Sequence, residues 1–580
     1  MLFTELLIGA AGLVWILWKQ RIVKQKMEFG TMRFLWILLM LTTFFLYSSQ
    51  AAEIYVDDVA SNGNGTLNSP FNSISSALNA ANPGDVIRVL PGNYAQKITS
   101  QISGTSGSPI TIRAHDPGNR PVFSLSGTVM DISHDNIVID GIVLDAQFSG
   151  NDIVRIDNTE NLTIRNSEIR NATKDGIDME QSNNVLIENT KIHHCLAGTI
   201  NSQQDAHGVV AVTSTNITIR DCEIYYVSGD CFQADPSRGT PVWDNVLIEN
   251  SKLWTGPLPA DAAGWNAGEI PGENAIDTKV NGSSGNANYR AKLTLRHVEA
   301  FGFAPGYISN RAAFNIKEKV DCFMDGVIAH NNEIGFRLRG PGSNGGAHIT
   351  IINSIAYDNE TTFRTEDDLE KLLIYNSTFD IGTGNRYFQN ASGGYDPAGF
   401  DLRNSLFLGT KPSDASQPSN LSANASFFVN RSSNDYRLSG SSPAIDAGET
   451  IAIVTHDFAG NSRTAGQYDV GAFEGNPATG IDDDAAPLEG FRLQQNYPNP
   501  FNPETTIEFS MASAGRVTLE IFDVLGRKVR TLVSDFLPSG SYSQRWNGRN
   551  DVGDLVESGV YVYRLQAGNF SRIRKMQLIQ

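Results

Sequence analysis

Short stretches of alternating apolar and polar residues recur along much of the chain. Each stretch carries apolar side chains at every second position and ends in an Asn, Asp or Gly residue, which is the pattern of a half-buried β-strand followed by a turn. Helical periodicity is almost absent from this region. The repeated stretches are NIVIDGIVL from Asn136, NLTIRNSEI from Asn161, NVLIENTKI from Asn184, NITIRDCEI from Asn216, NVLIENSKL from Asn245, KLTLRHVEA from Lys292, HITIINSIA from His348 and KLLIYNSTF from Lys371.

A single strand and turn cannot bury its apolar side, so the repeated units must stack on one another. The steps between units are irregular, and the step from Asn161 to Asn184 is 23 residues. The predicted fold class is therefore all-β, with a right-handed parallel β-helix in which each coil lies ~4.8 Å above the last. We assign residues 53–475 to this domain.

One segment departs from the strand pattern. SPFNSISSALNAANPGD, residues 69–85, places Phe71, Ile74, Leu78 and Ala81 on one face of an amphipathic helix. The segment precedes the first coils, where an open sheet edge needs a cover. We therefore predict an N-terminal capping helix.

The pattern changes again after a polar linker, residues 476–490. Alternating strands with Gly and Asn turns over residues 491–580 predict a small β-sandwich. The stretch LQQNYPNPFNPETTIEFSM and the stretch VTLEIFDVLGRKVRTL within it closely resemble the type A sorting domain of type IX secretion cargo. The resemblance implies that the type IX machinery is a partner, and that the protein passes the periplasm and is released or held at the cell surface.

The first 52 residues fit export as well. MRFLWILLMLTTFFLYSSQAA, residues 32–52, combines Arg33, an apolar run and small residues before a cleavage point, as a secretory signal peptide does. A second apolar run, Leu6 to Trp18, precedes it and reads either as a membrane helix or as untranslated sequence. We favour translation from Met32.

The formal net charge of -18 argues against a nucleic-acid partner. We expect a monomer that meets an acidic polymer only through a local patch. The spacing of the four cysteines does not match a zinc site, and we expect free buried thiols. They are Cys195, Cys222, Cys231 and Cys322.

A second strand follows the turn in each coil, and its register predicts which side chains point outward. The third residue of this strand is always apolar and should face the core, so the fourth and sixth should face solvent. The third residues are Ile177, Val209, Phe232, Ile276, Phe314, Phe336 and Phe363. The fourth are Asp178, Val210, Gln233, Asp277, Asn315, Arg337 and Arg364, and the sixth are Glu180, Val212, Asp235, Lys279, Lys317, Arg339 and Glu366.

Cations gather at one end of these two columns. Lys279, Lys317 and Arg339 are expected in a ladder with ~4.8 Å steps. Like charges at such spacing favour a neutral lysine, which can accept a proton. We predict catalytic roles for these three residues and Arg337, and substrate binding by Arg364. The alternative is a solvated face with surface salt bridges, but the clustering in an acidic protein favours polyanion binding.

An insertion, WTGPLPADAAGWNAGEIPGE at residues 254–273, directly precedes the strand NAIDTK. Long loops on rigid scaffolds often carry binding groups. Trp254 and Trp265 are predicted to form a sugar-stacking wall, or else to pack the loop down. The amides of Gln233 and Asn315, in the fourth column, are predicted substrate contacts.

Three carboxylates near this insertion are candidate metal ligands. Asp235, Glu273 and Asp277 lie on adjacent predicted coils. Together they could offer several oxygens to Ca²⁺, which takes 6–8 ligands at ~2.4 Å. Pairing of the same carboxylates with neighbouring cations is the alternative.

Two stretches resemble polysaccharide lyases. NAIDTKVNGSSGN is similar to the Lys-bearing coil of family-nine pectate lyases, which implies Lys279 as the base and Asp235 and Asp277 as Ca²⁺ ligands. AAFNIKEK followed by FRLRG resembles the Lys-then-Arg pairing of alginate lyase and chondroitinase B relatives. That resemblance implies Lys317 as the base, assisted by Arg337 or Arg339.

The predicted function is cleavage of a uronate polysaccharide, of pectate or alginate type, by β-elimination. A neutral lysine would remove the C5 proton while Ca²⁺ or Arg neutralises the carboxylate. One alternative is a non-catalytic surface protein that binds glycan, such as an adhesin. Another is a glycoside hydrolase with Asp235 and Asp277 as its two carboxylates, which need a separation of ~5–9 Å.

Overall fold

The computed structural model describes residues 51–235, 243–279, 290–475 and 492–579. Within these ranges it omits residues 307, 318, 341–345, 465, 494–495, 497–498, 500, 512–514, 524–526, 539, 552–553 and 568–569. The predicted leader up to residue 50 and the linker 476–490 lie outside the described residues. Among the helices that the structure describes, none has the length and apolar character that crossing a membrane requires.

Three parallel sheets, here named A, B and C, wind around a common core, and each coil contributes one strand to each sheet in the order A, C, B. The right-handed β-helix predicted from the repeats is therefore confirmed. Sheet A contains Glu53–Val56, Val86–Val89, Ile110–Ala114, Ile137–Asp140, Glu160–Arg165, Asn183–Glu188, Thr215–Arg220, Asp244–Glu249, Ala291–Arg296, Val320–Asp325, His348–Ile352, Lys371–Tyr375 and Phe400–Arg403.

The other two sheets have the same parallel arrangement. Sheet B contains Ile98–Thr99, Met130–Ile132, Val154–Asp157, Ile177–Glu180, Val209–Val212, Phe232–Asp235, Asn274–Thr278, Ala312–Ile316, Ile334–Arg339, Thr361–Glu366 and Arg386–Ala391. Sheet C contains Asn93–Tyr94, Val122–Ser124, Val143–Ser149, Glu168–Ala172, Lys191–Cys195, Glu223–Val227, Lys252–Trp254, Glu299–Phe301, Ile328–His330, Ile355–Tyr357, Thr378–Asp380, Leu406–Leu408 and Leu421–Ala423.

The turns between sheets A and C explain why Asn recurs after the first strand of each repeat. Asn166 and Asn189 adopt positive φ values of 54° and 45°. Asn tolerates this left-handed conformation better than most residues, so it can end the strand sharply. The side chains also link coils, since Asn189 Nδ2 donates to Asn166 Oδ1 at 2.7 Å.

The core between the three sheets is a continuous apolar column. Inward-facing side chains of successive coils lie directly above one another, as the period-two alternation requires. In sheet B the rings of Phe314, Phe336 and Phe363 stack with centroids 5.4 and 5.0 Å apart. All four cysteines are free and buried in this core region, as expected.

The helix at the N-terminal end is shorter than the predicted amphipathic segment. It spans Ile74–Ala80, and Ser73 caps it by accepting a hydrogen bond from the Ser76 N–H at 3.1 Å. Ile74, Ala77 and Leu78 are buried, so the helix covers the core. Phe71 instead bridges to the first strand of sheet A at Val56.

The remaining elements are short. Two antiparallel hairpins leave the coils, Ala197–Thr199 with Ser202–Gln204 and Phe428–Asn430 with Asp435–Leu438. Single 3₁₀ turns occur at Pro397–Gly399, Ala425–Phe427 and Arg431–Ser433. The C-terminal part forms two antiparallel sheets around its own apolar core. Its strands are Arg492–Leu493, Thr505–Met511 and Gly540–Trp546 in one sheet, and Gly515–Asp523, Lys528–Leu537, Gly559–Ala567 and Phe570–Leu578 in the other.

Candidate functional site

The predicted fourth-position residues stand in register on five neighbouring strands of sheet B. Gln233 pairs with Asp277, Asp277 with Asn315, Asn315 with Arg337, and Arg337 with Arg364. The apolar third residues between them are buried in the core, so alternation turns this column outward. We call the outer side of sheet B, from strand Phe232–Asp235 to strand Thr361–Glu366, the charged face.

The outward column is much less exposed than the sequence predicted. Gln233, Asp277 and Asn315 are only 4%, 3% and 3% exposed. Buried polar atoms normally have hydrogen-bond partners. Yet Gln233 Oε1 and Asn315 Oδ1 have no hydrogen-bond partner in the described part of the chain. The middle of the charged face is therefore a covered polar surface, and the expectation of a solvent-exposed column is wrong there.

Lys317 forms an ion pair with the central carboxylate of this column. Its Nζ lies 2.8 Å from Asp277 Oδ1 and donates to Oδ2 at 2.9 Å. The Lys317 backbone N–H donates to Thr278 Oγ1 at 2.8 Å, which fixes the residue beside the neighbouring strand. Lys317 is thus held on a buried carboxylate, and the expected ladder of mutually repelling cations is interrupted at this residue.

Three arginines of the charged face converge on one carboxylate, that of Glu366. Arg337 Nε lies 3.2 Å and Arg339 Nε 3.0 Å from the carboxylate oxygens, and Arg364 Nε also contacts it. Burial opposes the ionisation of Glu366, but the Arg337 hydrogen bond and the three guanidinium charges outweigh it and lower the pKa of Glu366. Arg339 also approaches Asp367 Oδ2 at 3.4 Å.

This arginine cluster, Arg337, Arg339 and Arg364 around Glu366 and Asp367, has a net positive charge. Three guanidiniums face two carboxylates, which leaves one positive charge in excess. Glu366 was in the predicted sixth column but received no role from its sequence, because its contacts come from side chains on neighbouring coils.

Lys279 differs from Lys317 in its contacts. Its backbone N–H donates to the Ala234 carbonyl at 2.7 Å, which continues the parallel ladder of sheet B. In the part of the chain that the structure describes, no carboxylate forms an ion pair with Lys279. Its amine is therefore the lysine amine of the charged face that is not committed to a carboxylate.

Two acidic side chains lie in the neighbourhood of Lys279. Glu273 has its pKa raised to about 7, mainly by burial and further by the charges of Asp230 and Asp205, while Lys279 opposes the shift. Asp230 is fully buried, and Asn274 Nδ2 donates to its Oδ1 at 2.8 Å. Asp230 was not singled out from the sequence, because burial of an acidic residue at a strand start leaves no periodic signal.

The predicted Ca²⁺ ligands do not form a metal site. Across the described residues, no group of three or more His, Cys, Asp or Glu side chains is arranged to hold a metal ion. Asp277 is paired with the Lys317 ammonium, and Glu273 is beside Asp230. The expectation that Asp235, Glu273 and Asp277 share one ion is therefore corrected, because a side chain of the protein already provides the positive charge at Asp277.

The tryptophans do not form a sugar-stacking wall. Trp265 is 1% exposed and donates its indole N–H to the Ala197 carbonyl at 3.3 Å, within a small apolar cluster with Leu196 and Leu258. Trp254 stacks between other rings on sheet C, with Tyr225 at 4.7 Å and Phe301 at 5.7 Å. The alternative interpretation, that both rings pack the loop and the sheet, is the one that the structure supports.

Comparison with solved structures places the chain among β-helix proteins. Pectate lyase Pel9A is 18% identical with a TM-score of 0.43, over 74% of this chain and 98% of that one. An alginate lyase from Paenibacillus sp. str. FPU-7 is 16% identical with a TM-score of 0.34, over 56% and 94%. PorZ of Porphyromonas gingivalis, a type IX secretion component, is 26% identical with a TM-score of 0.13, over 17% and 12%. A search of curated protein sequences found no match.

Two families match the sequence itself. The secretion system C-terminal sorting domain matches residues 495–579, which confirms the resemblance of the C-terminal part to sorting domains. The protein is therefore type IX cargo, directed to the cell surface or the medium. The family described as Pel9A-like, right handed beta helix region matches residues 54–371, more than half of the 580 residues. The chain belongs to this Pel9A-like right-handed β-helix family.

Proposed function

We propose that the protein cleaves a uronate-containing polysaccharide, of the pectate or alginate type, by β-elimination. The observation that carries the proposal is the charged face. Five cationic side chains follow one another along four adjacent strands of sheet B, in a protein whose net charge is -18. A local positive strip of this kind attracts a polyanion that the rest of the surface repels. The five are Lys279, Lys317, Arg337, Arg339 and Arg364.

The elimination needs the uronate carboxylate to be neutralised, so that the C5 proton becomes acidic. The arginine cluster supplies this charge, because it holds one more guanidinium than carboxylates. Arg337 and Arg339 stand closest along the sheet to the lysines. A substrate carboxylate that contacts them completes the charge balance of the cluster.

A base must then take the C5 proton, and we assign this role to Lys279. Its amine is not paired with a carboxylate among the described residues, whereas the Lys317 amine is held on Asp277. The proton moves from C5 to the Lys279 amine, and the electron pair forms the C4–C5 double bond. The bond from C4 to the glycosidic oxygen breaks, and the leaving oxygen takes a proton from water. Lys317 acts as a positioned cation between base and arginines.

The product type tests the proposal. The secreted full-length protein is incubated with pectate, alginate and chondroitin, and both ultraviolet absorbance and reducing ends are measured. New absorbance from unsaturated ends is the expected result. Reducing ends without absorbance would identify a hydrolase, and retention of the glycan without cleavage would identify a binding protein. Either of these outcomes overturns the lyase proposal.

Variants of the two lysines test the assignment of the base. We expect Lys279→Ala to lower turnover by roughly 10²–10⁴-fold, the usual contribution of general base catalysis. Lys317→Ala should have a smaller effect on turnover. Lys371→Ala is the matched control, because Lys371 is an exposed lysine on sheet A. A larger loss in Lys317→Ala than in Lys279→Ala would assign the base to Lys317.

A further inference from the structure

The oxygens around Asp277 form a small cradle for a positive charge. Gln233, Asp277 and Asn315 lie side by side on three adjacent strands, and all three side chains are almost fully buried. Gln233 Oε1 and Asn315 Oδ1 have no hydrogen-bond partner among the described residues. Buried oxygens without donors, placed on both sides of a carboxylate, are a favourable environment for a cation.

That positive charge is already present in the chain. The Lys317 ammonium lies 2.8 Å from Asp277 Oδ1 and 2.9 Å from Oδ2, so it contacts both oxygens of the carboxylate. The Lys317 side chain is itself largely covered. A divalent ion bound to Asp277 would have to displace this ammonium or remain next to it, and repulsion between the two cations opposes the second arrangement.

The arginine cluster removes the need for a metal on the substrate side. A metal in such a site would serve to neutralise the uronate carboxylate. Here three guanidiniums stand opposite Glu366 and Asp367, and one positive charge is left for the substrate. Arginine is always charged and binds carboxylates through two parallel hydrogen bonds, so it can replace a metal in this role.

We infer that the Lys317 ammonium occupies the cation position at Asp277, and that the charged face binds its polyuronate without a divalent ion. The substrate part of this inference rests on the proposed function. The cation part does not, because occupancy at Asp277 can be measured in the absence of any glycan.

The first test is titration of the full-length protein with CaCl₂ alone, followed by calorimetry and by the thermal unfolding midpoint. The wild-type protein should show no saturable heat and no rise in the midpoint. Saturable Ca²⁺ binding to the wild type that is lost in Asp277→Asn would overturn the inference. This measurement needs neither a substrate nor a variant that alters the charge of the cradle.

The second test empties the cradle. Lys317→Ala leaves one carboxylate and two amides, a donor set typical of weak Ca²⁺ sites with dissociation constants of roughly 10⁻⁴–10⁻³ M. At about ten times such a constant, we expect the unfolding midpoint of Lys317→Ala to rise by roughly 1–2 °C. The double variant Lys317→Ala with Asp277→Asn should lose this response, and Lys371→Ala should never show it.

The outcomes separate this inference from the proposed function. A folded Lys317→Ala variant with no response to Ca²⁺ would overturn the claim that the ammonium occupies a cation position. Full retention of glycan binding in a chelator is expected for the wild type, and loss of binding on chelation would overturn the claim of metal-free binding. If no polyuronate binds under any condition, the proposed function fails while the CaCl₂ titrations still decide the occupancy at Asp277.

Discussion

The outer faces of sheets B and C are both built from side chains that repeat once per coil, but they arrange charge differently. On sheet C, one register position reads Glu168, Lys191, Glu223, Lys252 and Glu299, so the sign of the charge alternates from coil to coil. Lys191 lies 3.2 Å from Glu223, and Lys252 lies 2.7 Å from Glu299. Each charge has an opposite charge on the adjacent coil.

The next outward position on sheet C is aromatic. Six rings on consecutive coils form a stack, with most centroids 4.7 Å apart and planes within 15° of parallel. Because each inner ring has a neighbour on both faces, a sugar cannot stack on it. The six are His193, Tyr225, Trp254, Phe301, His330 and Tyr357.

The charged face of sheet B separates its charges instead of alternating them. Lys317 shares Asp277 with no other listed cation of the face, while three arginines share Glu366. Amide oxygens beside Asp277 stay without hydrogen-bond partners among the described residues. The difference teaches that a ladder whose side chains satisfy one another stabilises the coil, whereas a ladder with excess charge is available for a ligand.

The largest expected effect comes from the shared carboxylate of sheet B. Glu366→Gln leaves three largely buried guanidiniums without their common partner. We expect the free energy of unfolding to fall by about 3–5 kcal/mol, as when one partner of a buried ion pair is removed. Urea unfolding at neutral pH measures it.

Asp367→Asn is the control for this variant, because Asp367 is more exposed and contacts only Arg339, at 3.4 Å. Its expected cost is below about 1 kcal/mol. Equal effects of the two variants would show that Glu366 is not the centre of the arginine cluster.

A pH effect of similar size is expected on sheet C. Burial opposes ionisation of Glu299, but the His330 hydrogen bond and Lys252 outweigh it and lower its pKa from 4.5 to about 2. A lowered folded-state pKa stabilises the protein above the unfolded value, and the stabilisation is lost as pH falls from about 4.5 to about 2.

Glu299→Gln isolates this contribution. The variant should be less stable than wild type by about 3 kcal/mol at pH 7, and the difference should shrink to nothing near pH 2. Unfolding midpoints of both proteins across this pH range provide the measurement. A difference that stays constant with pH would contradict the role of the Glu299 carboxylate.

A smaller loss is expected from the aromatic stack. Trp254→Ala removes a half-buried ring between Tyr225 and Phe301 and the indole hydrogen bond to Glu223 Oε1 at 3.1 Å. We expect a cost of about 2 kcal/mol in unfolding free energy, with glycan binding unchanged. Unchanged stability together with lost binding would restore the interpretation of Trp254 as a sugar-stacking residue.

The smallest effect belongs to the exposed end of the alternating ladder. The side chain of Lys191 is 58% exposed, and its pair with Glu223 is open to water. Lys191→Ala should change the unfolding free energy by less than about 0.5 kcal/mol, because solvent screens surface pairs. A loss comparable to that of Glu366→Gln would erase the contrast between the two faces.

Much of the fold could be read from local patterns. The alternation of the repeats gave the β-helix, the register of Asp277 against Asn315, and the buried column of Phe314, Phe336 and Phe363. The helix boundaries were less well predicted, because the Ser73 cap begins the helix inside the amphipathic segment.

The candidate site was predicted only in part. The positions of Lys279, Lys317 and the arginines on one face followed from the register, but their partners did not. Lysine and arginine side chains are long enough to reach a neighbouring coil, so the sequence leaves several carboxylates open to each of them. The proposed metal ligands and the two tryptophans were misjudged for the same reason, since their contacts come from residues far apart in the chain.

The sequence by itself determined that this protein is a stack of β-coils with one face rich in cations, because period-two alternation and coil stacking depend only on local order. Only the tertiary structure decided that Lys317 is held on Asp277, that Glu366 collects three arginines, and that Trp254 is enclosed between rings. Those choices depend on distances between side chains on different coils, which no local pattern encodes.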